Sequence, residues 1–102
     1  MSNTTTKNDV VKYELTTPVT VNGICYTAIE LDFYSLNGND ITTAEFEIAK
    51  SGQIVAGLAE FNKTYLMHIS ARAAKIPFEA LNQFSIRDLS AITRETQNFL
   101  MS

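Results

Sequence analysis

"VVKYELTTPVTVNGICYTAIELDFY", residues 10–34, is the stretch whose reading decides the fold. It holds two apolar-alternating runs around Asn22-Gly23, the strongest short-range signal for a β-hairpin. In the first run Val11, Tyr13, Leu15, Val19 and Val21 are apolar and odd-numbered. In the second, Cys25, Ile29, Leu31 and Phe33 are odd-numbered too, with Glu30 and Asp32 between them. A two-residue Asn-Gly loop pairs Val21 with Ile24 and sets Leu15 opposite Glu30, which mixes apolar and charged groups on one face. A three-residue loop, Val21-Asn22-Gly23, pairs Leu15 with Ile29 and Tyr13 with Leu31, and sets Lys12 across from Asp32. Gly23 then takes the left-handed position of a bulge. The three-residue loop is the expectation, with a two-residue loop and a compensating bulge near Pro18 as the alternative. Cys25 is expected on the inward face.

Working outward, residues 1–9 (MSNTTTKND) are polar and read as a disordered tail, so the folded domain is expected over residues 10–102. After a loop at 35–39, Asn39 or Asp40 is expected to cap a helix over about 40–50, with Ile41, Ala44 and Ile48 at helical spacing and Gly52 ending it. A second helix is expected over about 58–75, with Leu58, Phe61, Tyr65, Ile69 and Ala73 on one face and Pro77 stopping it. Pro77 also suits the first position of a short helical turn, about 77–83. Ser85-Ile86-Arg87-Asp88 is a capping-box pattern opening a last helix, about 86–100, in which the short Asp side chain reaches back less readily than Glu. Ile86, Leu89, Ile92, Thr96, Phe99 and Leu100 form its stripe. The expected fold class is α+β: an N-terminal antiparallel hairpin followed by three to four helices. Both strands of such a hairpin are edges, which favours self-association or a partner.

Composition bounds the function. The chain has 102 residues, 45% of them hydrophobic and 19% charged, which suits one globular domain. Its net charge of −3 argues against nucleic acid as a main partner. The single cysteine excludes an internal disulfide and fits a reducing cytoplasm, and the N-terminus lacks a signal-peptide pattern. No apolar run reaches the ~20 residues of a membrane helix.

The usual chemistry is missing from the pattern. His68, the only histidine, has no second His or Cys at metal-ligand spacing and reads as a boundary residue. Glu30/Asp32 and Glu45/Glu47 point to solvent rather than toward each other, and the four glycines share no phosphate-loop spacing. No catalytic residue, metal or cofactor is expected. Phe46 falls off the Ile41/Ala44/Ile48 stripe, and Met67 lies opposite Tyr65 and Ile69. A partner groove between the helices near 41–50 and 58–75 is therefore expected to use Phe46, Tyr65 and Met67.

The order of features resembles a known family. "LTTPVTVNGICYTAIEL", "NGNDITTAEFEIAK", "AAKIPFEALNQFSIRDLSAI" and a terminal "NFL" follow one another as in the small tail assembly chaperones of long-tailed bacteriophages and prophages, over about residues 12–100. The matching positions are Ile76-Pro77, Leu81, Ile86-Arg87-Asp88 and Phe99. The chain departs from the family pattern at Tyr34-Ser35-Leu36-Asn37-Gly38. The resemblance implies a non-enzymatic protein of the bacterial cytoplasm that binds the tape measure protein and assists assembly of the tail tube protein; the homo-oligomer expected here rests on the open hairpin edges instead. In many phages of that family a frameshift near the end of the gene makes a longer product, and this chain would correspond to the short form. A small DNA-binding regulator, with a helix-turn-helix over 77–97, or another phage structural protein is the alternative.

Overall fold

The computed structural model describes residues 10–50 and 63–101 and has the α+β order expected: a two-stranded antiparallel sheet, then four helices. Strands β1 (Val11–Val21) and β2 (Ile24–Leu31) are followed by α1 (Gly38–Lys50), α2 (Lys63–Ala74), α3 (Phe78–Leu81) and α4 (Ile86–Met101). The proposed tail, the Gly52 stop and the Leu58/Phe61 part of the second helix lie outside the described residues.

The hairpin corrects the expected register. Val21 pairs with Ile24, so the loop is the two-residue Asn22-Gly23. Both loop residues are left-handed, at φ 52° and 81°, the requirement of the turn whose twist matches paired strands. The mismatch that disfavoured this loop is removed by a bulge. Glu14 pairs with Ala28 and Val19 with Tyr26, so residues 15–18 face Thr27 alone. The excess is odd, and it flips one strand's alternation against the other's.

Beyond the bulge Tyr13 pairs with Ile29 and Val11 with Leu31, odd against odd, and both strands turn the same face inward. Lys12 lies across from Glu30, not Asp32. Toward the tip, odd residues of β1 face even residues of β2. Cys25 pairs with Thr20 on the outer face and is exposed, not buried. Pro18 sits inside the bulge, where no ladder amide is demanded of it.

The helices begin and end by identifiable chemistry. The Asn37 side chain, rather than Asn39 or Asp40, caps α1: its Oδ1 accepts the Asn39 amide at 2.9 Å, and Asp40 Oδ2 accepts the Asn37 amide at 2.9 Å. Helix α2 closes with the Ile76 amide on the Ala71 carbonyl (3.1 Å) and the Lys75 amide on the Arg72 carbonyl (3.2 Å), with Lys75 left-handed at φ 60°. Pro77 is extended (φ −63°, ψ 146°) and precedes α3 rather than opening it. Ser85 Oγ accepts the Asp88 amide at 3.2 Å, as the capping pattern predicts. Ile86 drops out of the expected stripe and is 79% exposed.

Helix α2 is the hub, touching α1, α3, α4 and β2. One core cluster joins Leu15, Ile29, Leu31 and Phe33 to Leu81, Phe84, Leu89 and Ile92. Each fully buried Leu or Ile contributes roughly 1.5–3 kcal/mol relative to exposure. A second cluster sets Ala44 and Ile48 of α1 against Tyr65, Leu66 and Ile69 of α2. Helices α2 and α4 also share a polar seam in which the Ser70 and Thr96 hydroxyls lie 2.6 Å apart. Among the described residues every buried side-chain polar atom has a partner.

Candidate functional site

Asp88 holds the two halves of the fold in register. Its Oδ1 accepts the Tyr13 hydroxyl at 2.8 Å and the Thr16 amide and hydroxyl at 3.0 Å each, while Oδ2 accepts the Thr17 amide at 3.3 Å. The bulge turns these amides away from the ladder, and the buried carboxylate at the start of α4 satisfies them. Burial opposes ionisation of Asp88, but the bonds from Thr16, Tyr13 and Thr17 outweigh it and lower its pKa from 3.8 to about 2. Burial, reinforced by Asp88, raises the Tyr13 phenol. Fully buried, with each of these bonds made to the hairpin, Asp88 serves as a structural anchor.

A mainly apolar cleft, of about 180 Å³, lies at the corner where the chain leaves the sheet. Residues Phe33–Ser35 form a short tight turn, with the Leu36 amide on the Phe33 carbonyl at 3.1 Å. Ser35 Oγ donates to the Asp32 carbonyl at 2.8 Å, and Lys75 Nζ donates to Ser35 Oγ at 3.1 Å. That turn buries Phe33 and leaves Tyr34 60% exposed. Phe99, from the end of α4, stacks on Phe33 (centroids 4.8 Å apart) and meets Tyr34 edge-on at 5.3 Å. Leu36, Ile41, Ile69 and Leu100 complete the walls.

Asp40 fixes the α1 side of this corner by accepting Arg72 Nε at 2.6 Å. The Asn37 amide, and then Arg72, hold its carboxyl below the ordinary value. The cleft is smaller than the ~300–1,000 Å³ of small-molecule sites, so its size suits one or two apolar side chains of a larger partner.

Of the residues expected to form a partner groove, the fold brings no common surface together. Phe46 is 60% exposed, with Lys50 Nζ 5.6 Å from its ring centre. Tyr65 is buried between α1 and α2, and Met67 is half-buried against the main core. The α1–α2 contact is filled by Ala44, Ile48, Tyr65 and Ile69. The groove at Tyr34, Ile41 and Phe99 went unassigned as a site, although aromatic residues in a connection beside an aromatic C-terminal turn were the available signal.

His68 occupies the expected boundary position, stacked on Phe78 with centroids 3.9 Å apart, and burial lowers its pKa. A larger cleft, about 520 Å³, runs along the base of the hairpin, where Lys12, Glu30, Asp32 and Lys75 mix both signs of charge. Among the described residues no group of three His, Cys, Asp or Glu is placed to hold a metal, and no helix is long and apolar enough to cross a membrane. Comparison with protein-family models, curated proteins and solved structures finds no match.

Proposed function

We propose that this chain is a phage or prophage tail assembly chaperone that binds apolar helical segments of the tape measure protein. The observation that carries the reading is the cleft where Tyr34 and Ile41 stand exposed around the Phe33–Phe99 stack. A helix presenting apolar residues at i and i+3 or i+4 can place them there, the helix-in-groove mode of recognition. The ordered resemblance of Ile76-Pro77, Leu81, Ile86-Arg87-Asp88 and Phe99 to the tail chaperones supports the same partner. The proposed action is non-covalent: covering apolar stripes of a long helical protein until tail tube subunits surround it. Self-association through the free hairpin edges is part of the proposal.

The test is a titration of isotope-labelled protein with short overlapping peptides of the tape measure protein. Apolar helical peptides are expected to shift the resonances of Tyr34, Ile41, Phe99 and Leu100 together. Peptides that leave this corner unmoved, or move another face instead, overturn the assignment.

A further inference from the structure

Another cleft, about 200 Å³, lies between the first described turn of α2 and the middle of α4, and Leu66 is its one apolar lining residue among those described. Its walls are Lys63, Leu66, Ser90, Thr93, Arg94 and Gln97. Ser90, Thr93, Arg94 and Gln97 are spaced i, i+3, i+4 and i+7, which makes one polar stripe along α4. Lys63 reaches across from α2 and donates to Thr93 Oγ1 at 3.1 Å, while the Thr93 hydroxyl donates to the Leu89 carbonyl at 2.7 Å. The ammonium is thus held over the stripe, and among the described residues Thr93 takes one of its three N–H groups.

Two cations therefore line a cleft that, among the described residues, no carboxylate lines, in a chain whose net charge is −3. Lys50, Arg72 and Lys75 each sit within 4.0 Å of a carboxylate, on Glu47, Asp40 and Asp32. Lys63 and Arg94 make no salt bridge among the described residues. Like charges sharing a cleft repel unless an anion lies between them. The donors are of the kinds that suit a tetrahedral oxyanion: a guanidinium fork, an ammonium and the Ser90 hydroxyl.

We propose that this cleft binds a phosphate group, either the free ion or a phosphomonoester. Two full positive charges match a dianion better than a single carboxylate. A two-cation cleft is also too short to track a nucleic-acid backbone. The site stands apart from the apolar groove and does not depend on the tail-assembly reading.

The experiment titrates inorganic phosphate into the isotope-labelled full chain at fixed ionic strength, with O-phosphoserine and acetate in parallel. Saturating shifts are expected at the Arg94 Nε–H and the Ser90 and Thr93 amides, with acetate binding more weakly than phosphate. Arg94→Gln, which removes no hydrogen bond among the described residues, and Lys63→Gln should each weaken binding about tenfold. Arg87→Gln, outside the cleft on the same helix, should leave it unchanged. Tighter binding of O-phosphoserine assigns the site to a phosphomonoester, and tighter binding of phosphate assigns it to the free ion. Shifts that grow linearly, that are equal at Lys12 and Arg87, that survive Arg94→Gln, or that acetate matches overturn the proposal.

Discussion

Asp88 Oδ1 accepts both the backbone amide and the hydroxyl of Thr16, each at 3.0 Å, across 72 residues of sequence. The first turn of the last helix therefore sets the shape of the first strand. Without that carboxylate, residues 15–18 have no reason to leave the ladder, and the tip of the hairpin loses the face alternation it needs.

Asp88→Ala should cost about 3 kcal/mol, because it removes the charged acceptor shared by the Thr16 and Thr17 amides and the Tyr13 hydroxyl and leaves a buried gap in its place. Asp88→Asn, which keeps one acceptor oxygen, should cost less. Urea denaturation of the two variants beside the parent checks both the size and the order.

Stability should fall in two stages with acid. The Asp88 pKa is depressed to about 2 in the fold, so its contribution is whole above the unfolded value near 4 and is lost as pH drops toward 2. The His68 pKa is lowered by burial, so the fold favours the neutral ring, and a shallower loss begins as pH falls below about 6.5. Thermal melts from pH 8 to pH 2 should show a smaller second stage in Asp88→Asn, with the part due to Asp40 remaining, and should lose the first in His68→Phe.

Gly23→Ala should destabilise by about 1 kcal/mol, since φ of 81° is a conformation that L side chains avoid. Nothing lies within 4 Å of an added Cβ, so the effect is backbone strain alone. A shifted urea midpoint with unchanged hairpin resonances is the expected result.

Lys75 is the other left-handed residue whose replacement informs. Lys75→Gly should relieve about 1 kcal/mol at the end of α2 while losing the bond to Ser35 and the 3.8 Å pairing with Asp32. Exposed pairs of this kind contribute less than that, so the variant should be slightly more stable. It should also loosen the Phe33–Ser35 turn, seen as faster exchange of the Leu36 amide.

The element types were legible in the sequence because each rested on local pattern: alternation in the strands, the Asn-Gly turn, the Ser85 cap and the apolar spacing of Ala44 with Ile48 and Tyr65 with Ile69. The hairpin register was not, because the bulge is stabilised by a residue near the other end of the chain. Reasoning within the hairpin alone preferred a loop that avoided the mismatch, and so carried Cys25 to the wrong face. The short reach of Asp88 was a visible hint that its carboxylate had another use. The candidate groove was hidden for a similar reason. Phe33 and Tyr34, Ile41, and Phe99 come from three separate elements, and only the packing of α4 against the sheet exit brings them together. The trio Phe46, Tyr65 and Met67 was chosen by helix face, a rule that does not say which faces two neighbouring helices fill with each other.

Co-expression with a phage tape measure protein is the most direct measurement of the proposed role. The parent should raise the soluble yield of that protein and elute with it, and Tyr34→Ala with Ile41→Asp should abolish both while keeping the parent's fold by circular dichroism. A tape measure protein that stays insoluble and unbound in the presence of the parent chain contradicts the account.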